Sequence, residues 1–249
     1  MQKDSKNNLI SFNDGMWDLH SLEFVTDTLS VNQSNGACFV NESNAKTPQW
    51  DAFIGYQLNE SDKYLLEVLI GRLFYVIGQY DDWQVMPVLL GRPWTGKSCV
   101  LHLVQRMFPD GSTGYIEYDT RLESLSSKRV VFIDDWYPPP SGDRALDIHT
   151  FRSAICGESI SVPSVSVPSI SVPSRRRGVW KIPMLLTGNY FTDYEQALER
   201  HLAVFRFDNR VRVYDHKIIS NIFRDELHAI MIKCIRAYRV ECTNPWPIQ

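Results

Sequence analysis

Apolar residues recur at two different periods along this chain, and the changes between them divide it into elements. Leu65, Leu66, Leu69, Leu73, Val76 and Ile77 fall three and four apart, the spacing of one helix face. They predict a helix from 61 to about 79, with Ser61 as its N-cap. Residues 85–90 form an apolar run that ends at a glycine, the mark of a buried strand. Helical spacing returns over 97–108. Further strands are expected at 114–118, 129–133, 180–187 and 203–207, with helices at 146–156 and from 216 to about 238. Strands alternating with helices predict a three-layer α/β domain with a mostly parallel sheet. Upstream, residues 9–19, LISFNDGMWDL, read as a strand and turn, with Asn13-Asp14-Gly15 between apolar flanks. The first 50 residues are otherwise polar, so a small N-terminal element is expected there.

One stretch has neither period. Residues 160–174 read ISVPS-VSVPS-ISVPS, three copies of a five-residue unit. Proline at every fifth position prevents a helix and disfavours a central strand. Three such units are too short to build a solenoid core. The expectation is an extended, exposed loop or hairpin arm inserted before Arg175.

Composition narrows the picture. The chain has 249 residues, is 44% hydrophobic and has a formal net charge of −3, so a nucleic-acid partner would need a local basic patch. Five cysteines, none in a CxxC pair, fit reduced buried thiols better than a disulfide framework or a zinc site. No signal-peptide pattern opens the chain, and the most apolar stretch, 64–78, carries Glu67 and Arg72. A soluble intracellular protein with no membrane partner is expected.

Residues 91–98, GRPWTGKS, match G-x-x-x-x-G-K-[ST] between an expected strand and an expected helix. Gly91 and Gly96 let the backbone turn so that the loop of Arg92, Pro93, Trp94 and Thr95 can wrap phosphates with its N–H groups facing them. The helix beginning near Lys97 adds its positive dipole end. Lys97 would reach the β- and γ-phosphates of ATP or another nucleoside triphosphate, and Ser98 would ligate Mg²⁺. Downstream, VVFIDD (130–135) delivers two carboxylates to the sheet edge where ligands bind in such folds. Asp134 would hold Mg²⁺ and Asp135 would act as general base on the attacking water. A third strand ends in Thr187-Gly188-Asn189, and Asn189 could orient that water. Arg175, Arg176 and Arg177, followed by Gly178 and then Lys181, make a basic knob suited to a phosphate backbone. Arg200 and His201 stand just before the last expected strand, where an arginine could serve as a finger in a neighbouring subunit.

In this order the motifs resemble superfamily 3 helicases of viruses and plasmids, ring motors of the AAA+ class, and most of all the helicase part of poxvirus-type primase-helicases. The resemblance runs from about 9 to 207. It implies an AAA+-like P-loop NTPase core at 85–215, carrying the low-complexity insertion at 160–174. A pre-helicase segment would occupy 1–60, a helical region 61–84, and a C-terminal helix and tail 216–249. It implies 91–98 as motif A, Asp134 and Asp135 as motif B, 175–181 as the DNA-contacting hairpin and Asn189 as motif C. The finger falls on Arg200 or, by spacing to Phe205-Arg206-Phe207, on His201; Arg200 is favoured. Implied partners are single-stranded or forked DNA, further copies of the chain in a hexamer, and a separate primase or other replication proteins. The implied setting is a viral replication site in the host cytoplasm or nucleus. Two other readings stay open: an AAA+ ATPase that loads or remodels a partner without unwinding, and a nucleotide-dependent origin-binding scaffold.

Overall fold

The computed structural model describes residues 9–12, 15–25, 46–117, 120, 122–135, 148–163, 175–190, 198–211 and 216–246. Its centre is a five-stranded, all-parallel sheet made of β4 (Met86–Leu90), β5 (Thr113–Tyr115), β6 (Val130–Ile133), β9 (Met184–Gly188) and β10 (Leu202–Arg206), in the spatial order β10-β4-β9-β6-β5. β9 thus inserts between the strand that leads into the glycine loop and the strand that ends in the aspartates. β4, β6 and β9 are buried along their whole length, as expected for parallel strands covered on both faces.

The two faces carry separate cores. Leu89, Phe132, Leu185 and Phe205 look toward the helices α1 (Pro48–Gly55), α2 (Glu60–Arg72) and α3 (Lys97–Arg106) and the C-terminal helix α6 (Leu227–Glu241). Val88, Leu90, Val131, Ile133, Met184 and Leu186 look toward α4 (Ile148–Ile155), Trp180 and Ile182. That is the period-two alternation of a strand, with both faces apolar. The N-terminal strands β1 (Leu9–Phe12), β2 (Gly15–Asp18) and β3 (Phe24–Val25) form a small antiparallel sheet. Its Ile10, Trp17 and Leu19 join the first core, and the Tyr75 hydroxyl donates to the Leu19 carbonyl at 2.9 Å.

Several expected boundaries move. α2 starts one residue before Ser61, because Asn59 and not Ser61 is the cap: its side chain accepts the Asp62 N–H at 2.9 Å. The helix ends at Arg72 rather than near Gln79, since Arg72 is drawn into a buried network. Its guanidinium pairs with Asp81 at 2.8 Å and donates to the carbonyls of Val85 and Trp83. The Tyr238 hydroxyl also donates to Asp81, and burial raises its pKa well above the usual tyrosine range. With every partner satisfied, the pair holds the turn that feeds β4. The C-terminal helix is also not continuous. A short helix α5 (His216–Asn221) passes through a π-helical stretch, Ile222–Glu226, into α6. In that stretch the buried Glu226 carboxylate accepts the N–H groups of Gln49 and Trp50, at 3.0 and 2.9 Å, and so caps α1 from outside. α2 and α6 meet closely at Gly71, where a Cβ would lie 2.0 Å from the Cys234 carbonyl oxygen.

The first pentad contributes most of β7 (Ser159–Pro163), which pairs antiparallel with β8 (Arg175–Val179) in an isolated hairpin. Pro163 sits at the end of that two-stranded ladder, where a missing N–H is tolerated. The rest of the repeat, 164–174, lies outside the described residues, as do 146–147, Tyr118 and Asn13-Asp14. No helix among the described residues is long and apolar enough to cross a membrane.

Candidate active site

Three adjacent strands, β4, β9 and β6, end at the same edge of the sheet, and the loops that follow them enclose a cavity of about 650 Å³. The loop after β4 is bent by two glycines. Gly91 lies against the next strand's exit: a Cβ there would meet the Phe207 carbonyl oxygen at 2.0 Å. Gly96 has φ +95° and immediately precedes α3. No side chain caps α3, and its first turn carries no acid. The start of that helix can therefore face an anion, whereas α1 and α2 are capped by Glu226 and Asn59. Trp94, between the glycines, has φ +67° and is 69% exposed at the cavity mouth. Its carbonyl accepts the Val211 N–H at 2.9 Å.

Lys97 is buried at the floor. Its ammonium donates to the carbonyls of Gly91 and Arg92, at 2.6 and 2.9 Å, and to Asn189 Oδ1 at 3.3 Å. Burial pushes its pKa below the usual lysine range, and Asp135 and Asp134 act in the opposite direction. Asp134 and Asp135 are exposed into the cavity, and Asp135 has φ +51°. The Asn189 Nδ2 donates to Asp135 Oδ1 at 2.7 Å. Asn189 thus bridges the lysine of one strand's loop and the carboxylate of another's.

The remaining lining divides by chemistry. Ser98, Asp134, Asp135 and Asn189 occupy the polar end, while Phe53, Val211, Ile218 and Ile219 supply apolar surface. Gln57 ties the wall together. Its side chain donates to the carbonyls of Thr95 and Asn209, at 2.9 and 2.6 Å, and accepts the Asn209 N–H at 3.0 Å. The Ser98 hydroxyl and the Asp134 carboxylate are hard oxygen donors. They suit Mg²⁺, which is usually held by one or two protein oxygens beside water and phosphate. Among the described residues no group of three His, Cys, Asp or Glu could cage a metal by itself.

No protein-family model matches the chain, and no curated protein matches it. Solved structures do. An apo structure of the NrS-1 C-terminal region aligns with a TM-score of 0.52 at 13% identity, over 81% of this chain and 51% of that one. A second, of its residues 305–718, aligns at 0.52 and 14% identity, over 83% and 51%. The fold resembles that of the NrS-1 C-terminal region. At this identity the likeness is one of fold, and the chain spans about half the length of the solved structures it matches. JCV helicase aligns more loosely, at a TM-score of 0.41 and 14% identity over 78% of this chain and 55% of that one.

The other sequence-selected residues are not at this cavity. β10 runs parallel to β4 with Leu202 opposite Met86, so Arg200 and His201 stand at the strand entrances. The five residues of β10 put them roughly 15 Å or more from the glycine loop. His201 is 4% exposed. Its Nδ1 lies 2.8 Å from the Gln84 carbonyl, and its Nε2 accepts from Arg200 Nε at 3.0 Å. A carbonyl on one side and a guanidinium N–H on the other place the ring proton on Nδ1. Arg200 is exposed, as is Lys181. The arginine hairpin leads into the entrance of β9 on this same edge; the side chains of Arg175, Arg176 and Arg177 lie outside the described ones.

Sequence reasoning missed Phe53, Gln57, Thr187, Val211, Ile218 and Ile219. The apolar ones look like any core residue in sequence. Thr187 had a local signal, a hydroxyl two residues before Asn189 at a strand end, but its partners are 52 and 53 residues away.

Proposed function

We propose that this chain is the motor of an ATP-dependent, ring-forming DNA helicase of superfamily 3, of the poxvirus-type primase-helicase kind, acting in viral or mobile-element DNA replication. The observation that supports the reading is the separation of two groups of residues at the two edges of one sheet. The glycine loop, the acidic pair and Asn189 surround one cavity, while the exposed Arg200 and the arginine-bearing hairpin stand at the opposite strand ends.

In this reading ATP lies with its phosphates on the open N-terminus of α3 and its base toward Phe53, Val211, Ile218 and Ile219. Lys97 exchanges its bonds to the Gly91 and Arg92 carbonyls for the β- and γ-phosphate oxygens. That exchange also releases Asn189 Oδ1 to meet the attacking water. Ser98 and Asp134 would hold Mg²⁺, which when bound would supply positive charge beside the phosphates. Asp135, held by Asn189 Nδ2, accepts the water's proton. Arg200 cannot reach the cavity of its own chain, so it would complete that of a neighbour, in a hexamer. The hairpin arginines would line the channel and grip one strand. The division into a pre-helicase segment (1–60), helical region (61–84), core (85–215) and C-terminal helix and tail (216–249) belongs to this proposal, as does a separate primase or other replication protein as partner.

The test is ATP hydrolysis with and without single-stranded DNA, followed by strand displacement on a forked duplex. Stimulation by DNA together with displacement is the expected result. Hydrolysis indifferent to DNA would favour a loading or remodelling ATPase instead, and nucleotide binding without turnover would favour a scaffold.

A further inference from the structure

The acidic pair is organised by a buried threonine on the neighbouring strand. Thr187, in the penultimate position of β9, is 1% exposed. Its hydroxyl donates to Asp134 Oδ1 at 2.6 Å and accepts the Asp135 N–H at 3.0 Å. A hydroxyl has one proton and two acceptor sites, so the direction of both bonds is determined: the backbone N–H can only donate, and the single proton goes to the carboxylate. The bond to Asp134 has the length of a charge-assisted one. The bond from Asp135 restrains a residue at φ +51°, a conformation that a non-glycine residue adopts only when its surroundings hold it. Asn189, two residues on, binds the Asp135 carboxylate at 2.7 Å. β9 therefore grips Asp135 at both its backbone and its side chain, and grips Asp134 beside it. This is the structural consequence of β9 lying next to β6 with Ile133 opposite Leu186: the residues after that pair, Asp134 and Thr187, must face each other across the sheet edge.

We propose that Thr187 is a positioning residue for nucleotide hydrolysis. Its hydroxyl fixes which Asp134 oxygen remains free for Mg²⁺ and sets Asp135 relative to it. Oδ1 is engaged by the hydroxyl, so Oδ2 is left for the metal's water shell. The proposal rests on the hydrolysis reading above. It does not depend on whether the motor unwinds DNA.

The experiment compares Thr187→Val, which keeps the shape and removes the hydroxyl, with Thr187→Ser, which keeps the hydroxyl. Mn²⁺ serves as the paramagnetic probe, titrated by electron paramagnetic resonance in the presence of a non-hydrolysable ATP analogue. Steady-state hydrolysis with Mg²⁺ is measured alongside. Thr187→Val should raise the half-saturating Mn²⁺ concentration about 10-fold and lower kcat by about 10- to 100-fold, the usual range for a residue that orients a metal ligand, with KM for ATP changed less than kcat. Thr187→Ser should stay close to the wild type on both, because its hydroxyl can make the same two bonds. If thermal melting shows that Thr187→Val does not fold, Thr187→Ala is read in the same way. Wild-type values for the valine variant, or serine as damaging as valine, would overturn the proposal while leaving hydrolysis itself standing. A wild-type chain that binds no Mn²⁺ with the analogue would instead overturn the hydrolysis reading, and the positioning role with it.

Discussion

The two edges of the central sheet are built differently. At the exit edge of β4, β6 and β9 the polar side chains are tied to one another. Lys97 reaches Asn189, Asn189 reaches Asp135, and Thr187 joins Asp135 to Asp134. At the entrance edge Arg200, His201 and Lys181 stand apart from the cavity. His201 is buried and spent on Gln84 and Arg200, and Arg200 itself is exposed. A cluster closed by its own hydrogen bonds can do chemistry within one chain. An exposed guanidinium steadied from behind by a buried imidazole is suited to a partner that arrives from outside. In the proposed reading, the contrast separates the groups that one copy supplies to its own cavity from those it would offer to a neighbour or a DNA strand.

Four tests would break or sharpen this comparison. The largest effect is expected for Lys97→Ala, which removes the charge that would meet the β- and γ-phosphates and should abolish measurable hydrolysis. Arg200→Ala should come next, at about 10³-fold in kcat, the lower end for an arginine finger. The decisive measurement mixes the two inactive variants. If the entrance edge of one copy serves the exit edge of the next, some mixed interfaces pair an intact Lys97 with an intact Arg200, and part of the activity returns. No return, in complexes shown by light scattering to contain both chains, would sink the shared site. His201→Ala should cost much less than Arg200→Ala, because the imidazole supports the guanidinium and is too buried to reach a neighbour. The reverse ranking would transfer the finger to His201.

Third, Asp135→Asn should keep nucleotide binding and lower turnover by about 10²-fold, on the scale of losing a general base; binding can be followed through the exposed Trp94 fluorescence. Normal turnover would remove Asp135 from that role. The smallest effect lies on the hairpin. Replacing Arg175, Arg176 and Arg177 together with alanine should reduce the salt dependence of single-stranded DNA binding by up to ~2 units of log–log slope, at roughly 0.7 per phosphate contact, and remove stimulation by DNA. Deleting two of the pentad copies should matter less than that, because the repeat brings no charge. Loss of DNA stimulation on the deletion but not on the arginine change would mean the strand is gripped elsewhere.

How much of this was legible in the sequence depended on how local the signal is. The three central strands β4, β6 and β9 were visible as apolar runs, because a parallel strand covered on both faces has no polar side to dilute it. Boundaries moved where a better-placed partner intervened, near in sequence or farther along. Asn59 outcompetes Ser61 as the cap of α2, and Asp81, nine residues along, takes Arg72 out of the expected helix. The interruption before α6 had no local signature, since Glu226 is committed to the N-terminus of α1, 176 residues earlier.

The sequence by itself determined the residues whose chemistry is written in a short window: the glycines and Lys97 of the loop, the aspartates at the end of an apolar run, Asn189 at the end of another. Backbone turns and strand ends depend on neighbours a few positions away, so such patterns survive without the rest of the chain. Only the tertiary structure decided that β9 lies between β4 and β6. That adjacency sets Thr187 against Asp134 and gives Asn189 both Lys97 and Asp135 to bind, while the parallel course of β10 beside β4 leaves Arg200 at the opposite edge. Strand order is a matter of which surfaces bury each other best over the whole domain, and no stretch of a few residues carries that information.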